Sequence, residues 1–235
     1  MIPIEDTPPQ RRRHFPLVTL LLIAANVLVF LYELSLGPGL ARFFQTYGAV
    51  PAEISAGRDL WPPSPLPVYA TLFTAMFIHA GILHLAGNMI FLWVFGDNVE
   101  DALGHLGFFA FYFVCGTAAG LLQIMFDPQS RIPNIGASGA IAGVLAAYLL
   151  LFPGAAVRTL LFAGPFITIT RISALLLIVV WLAFQMASAL LGLGLLTVGG
   201  SGVAFWAHIG GFLAGLLIVA LWRALRNRRT GPGNS

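Results

Sequence analysis

The stretch LVTLLLIAANVLVFLYELSL, residues 17–36, decides what kind of fold this chain can have. It matches the roughly twenty mostly apolar residues that a helix needs to cross a bilayer. Three arginines, Arg11, Arg12 and Arg13, precede it and give it the outline of a secretion signal. It is too long for the apolar core of such a signal, and no small-residue cleavage site follows it. It reads as a retained first span.

Outward from it, five more apolar segments stand at about 82–98, 105–126, 136–152, 172–196 and 203–222. The segments at 82–98 and 136–152 are short and rich in small or polar residues, which suits helices shielded by protein rather than lipid. The chain is 58% hydrophobic and 9% charged, where a soluble domain carries roughly 25% charged residues. So few charges cannot make a water-facing surface. The expectation is an all-α polytopic membrane protein: a six-helix membrane domain over 17–222 between flexible tails at 1–16 and 223–235.

Two connections carry signals of their own. Residues 37–70 are long and proline-rich, with Pro62, Pro63 and Pro65 close together, and read as an ordered or interfacial loop rather than a further span. Between Arg158 and Arg171, the runs Thr159-Leu160-Leu161-Phe162 and Phe166-Ile167-Thr168-Ile169 favour an interfacial strand or half-buried loop. With six spans, both termini share one side with Arg158 and Arg171, leaving only Arg42, Arg58 and Arg131 opposite. That bias places the termini in the cytoplasm. All twelve basic residues are arginines, scattered or terminal, and the net charge is only +3, so nucleic acid is not an expected partner. The single cysteine, Cys115, has no partner for an intrachain disulfide and reads as an inert buried thiol. The absence of lysine and the high Ala, Gly and Arg content suit a bacterial inner membrane.

Polar side chains inside a bilayer are costly and face the bundle interior or a water-filled cavity. Here they are His79, His84 and Asn88 around the second span, Ser138 in the fourth and His208 in the sixth. Taken singly, Ser138 and His208 suit packing among small residues, and Asn88 suits an interhelical hydrogen bond worth about 1 kcal/mol or less. Their shared depth favours more than packing. The second, fourth and sixth spans run inward from the outer face, and each carries its polar group near its start. At 1.5 Å per residue, all lie in the outer half of the bilayer. Gly139-x-x-x-Gly143 and Gly211-x-x-x-Gly215 would let the fourth and sixth spans touch, bringing the Ser138 hydroxyl to the His208 imidazole. Helix-start N–H groups at Ser138, with His84 and Asn88, are placed to hold a developing oxyanion. Asp97, Glu100 and Asp101 sit at the far end of the second span, and Asp127 reads as a solvated loop charge. The expected site is thus a Ser–His dyad without an acid. No His-Glu-x-x-His occurs, and no metal or other cofactor is expected.

Phe77-Ile78-His79-Ala80-Gly81-Ile82-Leu83-His84-Leu85-Ala86-Gly87-Asn88, Gly136-Ala137-Ser138-Gly139 and Ala207-His208-Ile209-Gly210-Gly211 together resemble the rhomboid intramembrane proteases. The resemblance covers about 71–217. It implies a six-helix bundle with an outward-opening cavity, Ser138 as nucleophile and His208 as base. It also implies His84, Asn88 and the Ser138 N–H as oxyanion donors, and single-span membrane proteins cut near the outer face as substrates. Trp181 and Phe184 resemble residues of the lateral substrate gate, 37–70 the family's first loop, and the segment after Gly199 its cap. Two positions depart from the family. Leu66-Pro67-Val68-Tyr69-Ala70 lacks the Trp-Arg pair of many members. Ala142 stands where some bacterial members stack a tyrosine on the base, which leaves Phe205 and Trp206 as replacements. The rival readings are a proton-coupled transporter using His84 and His208, for which no repeat is visible, and a non-catalytic membrane-protein binder or chaperone.

Overall fold

The computed structural model describes residues 1–7, 15–60, 62–163, 166–190 and 205–229. The long apolar runs form helices because only an intrahelical ladder satisfies backbone polar groups where water is absent. Among the described residues, four helices are long and apolar enough to cross a membrane: α1 (Leu17–Ser35), α5 (Ile82–Leu103), α6 (His105–Phe126) and α9 (Phe205–Arg229). Two others are shorter, α7 (Ser138–Leu151) and α8 (Ala174–Leu190). The part of the fifth apolar segment beyond Leu190, the start of the sixth, the region read as a cap, Arg11 to Arg13 and residues 230–235 lie outside the described residues.

At 14 residues, α7 is about 21 Å long, short of a hydrocarbon core of about 30 Å. Every residue from Gly139 to Tyr148 is buried. It is the central post of the bundle, shielded by protein as its small side chains require. Side-chain methyls added to the α7 and α9 glycines would collide across the interface, Gly211 with the carbonyl oxygen of Gly139 and Gly215 with that of Gly143. These two backbones are in direct contact. On the other flank of α7, a methyl on Gly143 would come within 2.5 Å of the Cys115 sulfur.

The long first connection carries α2 (Leu40–Tyr47) and α3 (Pro51–Ala56), and α4 (Thr71–Thr74) follows it. Ala49, Ile54 and Val68 from the connection form a small core with Leu72, Ala75 and, from α6, Ile124. Ala49 and Asn134 exchange backbone hydrogen bonds of 3.0 and 2.9 Å, and the Thr74 hydroxyl donates to the Tyr47 carbonyl at 2.6 Å. These contacts anchor a loop that lacks the Trp-Arg pair.

The far end of the bundle holds a three-stranded antiparallel sheet, β1 (Ile2–Thr7), β2 (Ala156–Ala163) and β3 (Phe166–Ser173). The β2–β3 hairpin is where the sequence favoured a strand or half-buried loop. The surprise is β1, in residues expected to be a flexible tail: Ile2 pairs with Leu160 and Thr7 with Ala156. Inward-facing Asp6 fixes it, accepting from the Asn98 amide at 2.8 Å and the Tyr148 hydroxyl at 2.6 Å.

Candidate active site

Ser138 is the first residue of α7, after a turn in which Gly136 adopts φ +122° and donates its N–H to the Ala75 carbonyl at 2.8 Å. The turn sets the Ser138 side chain at the mouth of the helix, half-buried, among first-turn N–H groups that have no acceptor within the helix. His208 sits in the first turn of α9 and is only 4% exposed. That turn is held from α6, where the Gln123 side chain accepts the Ala207 N–H at 3.3 Å. Trp206 stacks on Phe126 with ring centres 3.6 Å apart. The glycine contacts between α7 and α9 then bring the two side chains together: His208 Nε2 lies 2.7 Å from Ser138 Oγ. The other imidazole nitrogen, Nδ1, is buried with no hydrogen-bond partner among the described residues. No carboxylate is bonded to it.

His84 and Asn88 lie one turn apart on α5 and share a face. The Ala80 N–H approaches His84 Nδ1 at 3.4 Å. An accepting Nδ1 leaves the ring proton on Nε2, which makes Nε2 a donor. A methyl built on Gly136 would stand 2.8 Å from His84 Nε2 and 3.8 Å from Asn88 Nδ2. The space that glycine leaves open is therefore bounded by two side-chain donors. Asn88 Nδ2 is buried and unpartnered among the described residues. Only a residue without a side chain keeps this hollow, and φ +122° favours glycine independently.

Trp181 and Phe184, which the resemblance pointed to as gate residues, differ in their surroundings. Phe184 is 54% exposed on the outside of α8. Trp181 turns into the bundle, with its ring 5.9 Å from Phe91 of α5 and 5.4 Å from the His208 ring.

Three features near the site escaped the sequence reading. Glu33, buried near the end of α1, accepts the His79 backbone N–H at 3.2 Å. His79 packs edge-on to His84 at 5.0 Å, so α1 braces the segment that presents His84. Gly136 was visible as part of a small-residue motif, but its open cradle was not. The Trp181–His208 contact had no signal at all, because it joins two helices whose relative rotation the sequence does not state.

A family model described as the Rhomboid domain matches residues 67–224. Among curated relatives, "Rhomboid-like protein 11, chloroplastic" of Arabidopsis thaliana is 32% identical over 54% of this chain and 42% of its own length. "Rhomboid protein 1, mitochondrial" of Saccharomyces cerevisiae is 29% identical over 83% of this chain and 50% of its own. "Rhomboid protease GluP" of Bacillus subtilis is 33% identical over 57% of this chain and 24% of its own. The chain spans half or less of each of these three relatives. Two are named for organelles and one is bacterial, so they support a membrane location and not specifically the bacterial inner membrane.

Proposed function

The chain belongs to the rhomboid family, and on that premise we propose that it is an intramembrane serine endopeptidase working through a Ser138–His208 dyad. The observation that carries this reading is the 2.7 Å approach of His208 Nε2 to Ser138 Oγ. A base within hydrogen-bond reach of a hydroxyl is the arrangement nucleophile activation requires. Family membership and the apolar helices make the protein a polytopic membrane bundle. The six-span count is part of the proposal, with α7 and α8 completing the set, as is the division into 1–16, 17–222 and 223–235.

His208 Nε2 takes the Ser138 proton as Oγ attacks a peptide carbonyl. The carbonyl oxygen becomes an oxyanion and swings into the hollow before Gly136. There the Ser138 N–H, His84 Nε2–H and Asn88 Nδ2–H donate to it. His208 returns the proton to the leaving amine, and water then hydrolyses the acyl-enzyme. Two features support the oxyanion assignment: the cradle a side chain would fill, and an Asn88 donor left without an internal partner.

The substrates proposed are single-span membrane proteins reaching the site between α5 and α8, with Trp181 and Phe184 on the approach, and cut near the outer face. Since α7 is too short to cross the bilayer, Ser138 would sit below the membrane surface, and water would have to reach it from the outer face. Both termini would face the cytoplasm. A fluorophosphonate probe tests the dyad directly. Wild type should be labelled, and Ser138→Ala and His208→Ala should not be, with all three cutting or failing to cut a generic transmembrane substrate in parallel. A well-folded wild type that neither labels nor cleaves would instead make the chain a non-catalytic binder of membrane proteins.

A further inference from the structure

The question left by the dyad is what holds the imidazole. Nδ1 of His208 has no hydrogen-bond partner among the described residues, so the ring's one hydrogen bond there is the bond to Ser138 itself, which is given up as the proton transfers. The rest of its orientation must come from packing. Ala142 brings only a methyl from α7. The sequence pointed to Phe205 and Trp206 instead. Trp206 stacks on Phe126, and Phe205 packs against Trp206 with ring centres 5.5 Å apart. Among the described residues the aromatic ring against His208 is that of Trp181, at 5.4 Å with the planes tilted by 53°.

Trp181 is itself braced. Behind it stands Phe91 at 5.9 Å, then Phe95 at 5.9 Å, then Tyr148 at 4.9 Å in an edge-to-face contact. Phe95 and Tyr148 are fully buried. This run of rings links the imidazole on α9 through α8 and α5 to the core around α7. Phe91 and Trp181 are partly buried and pack against that core, and each ring has few torsions, so the run limits the freedom left at its end.

We propose that Trp181 is a positioning residue for the base, holding the His208 ring toward Ser138, beyond any part it has in lateral gating. The inference rests on His208 being the base. It has a consequence opposite to a gate role: removing the ring should slow the chemistry rather than ease access. A small water-borne probe separates the two, since it reaches Ser138 without passing between α5 and α8.

The experiment measures the rate constant of fluorophosphonate labelling for wild type, Trp181→Leu, Trp181→Phe, Val179→Ala and His208→Ala in detergent. Rates are taken from the time course, so any unfolded fraction lowers only the amplitude. Trp181→Leu keeps apolar bulk without a ring and should label roughly 10- to 100-fold more slowly, the scale of loss when a reacting group is misplaced by about 1 Å. Trp181→Phe, which retains a ring against the imidazole, should stay within about threefold of wild type. Val179→Ala, on the lipid-facing side of α8, should match wild type. For a transmembrane substrate, Trp181→Leu should lower kcat more than it changes KM. Wild-type labelling by Trp181→Leu, or faster cleavage by it, would overturn the positioning role and leave Trp181 a gate residue. Equal slowing by Leu and Phe would also overturn it, pointing to packing in general. If His208→Ala labels like wild type, the base assignment itself fails, an outcome distinct from either.

Discussion

The two ends of the α5–α7–α9 core treat buried polar groups in opposite ways. At the Ser138 end, Asn88 Nδ2, His208 Nδ1 and His79 Nε2 are buried without hydrogen-bond partners among the described residues. At the other end, polar groups are well supplied. Glu100 accepts the N–H groups of Val18 and Thr19, each at 2.8 Å, the Thr19 hydroxyl at 2.7 Å, and lies 2.6 Å from His105 Nδ1. Asp6 receives Asn98 and Tyr148, and Asp97 receives the Asn98 N–H at 2.6 Å and its side-chain amide at 2.7 Å. A buried polar group left unpaired costs about 1–3 kcal/mol, so one that persists calls for an explanation beyond stability. The saturated end is where the bundle is clamped, and under the proposed mechanism the unsaturated end is where a reacting oxygen would be received.

The contrast can be broken by removing one group from each end. Asn88→Ala should lower kcat for a transmembrane substrate by about 10²–10³, the usual loss for one oxyanion donor, while leaving the unfolding midpoint unchanged or slightly raised. Loss of stability with turnover intact would make Asn88 a packing residue and erase the difference between the ends. Glu100→Ala should do the reverse. Stripping the acceptor from the first turn of α1 should destabilise the protein by about 1.5–3 kcal/mol in a denaturant titration. The labelling rate per folded molecule should stay within about twofold.

A third variant sharpens the comparison from outside both ends. In α3, Glu53 is buried, accepts the Leu60 N–H at 3.0 Å and lies near Asp59; burial raises its pKa above the ordinary carboxylate value. A carboxyl whose folded pKa exceeds its unfolded one stabilises the fold while protonated. That contribution is present below the unfolded value and lost as pH rises through the folded one. Glu53→Gln should therefore gain stability over wild type towards neutral pH, and the gap should close on acidification. This is the smallest of the three effects, read as two unfolding midpoints against pH. A gap that widens on acidification would mean the ionised form is the stabilising one.

Much of the candidate site is legible in the sequence because it is written in helical periods. His84 and Asn88 are four apart, as are Gly139 and Gly143, and Gly211 and Gly215. A 3.6-residue period turns each spacing into a shared face. The glycines state how closely the backbones can approach, and the depth of each polar group follows from its count along the span. Glu33 was hidden because a lone carboxylate in an apolar run gives no hint that its partner is the backbone of His79, 46 residues away. β1 was hidden for a related reason. Its register with β2 joins residues some 150 positions apart, and a six-residue strand beginning Ile-Pro-Ile carries too little pattern to announce a partner.

By itself, the sequence determined the solvent, the helical class and the three helices that carry the candidate site residues, because hydropathy and spacing along a single helix are local properties. Tertiary structure decided the rest. The rotation of α8 put Trp181 against His208, the packing of α5 against the Gly136 turn shaped the cradle, and the fold-back of residues 2–7 closed the far end. Those outcomes depend on how separate elements turn toward one another, and that rotation is set by the close packing of every side chain between them.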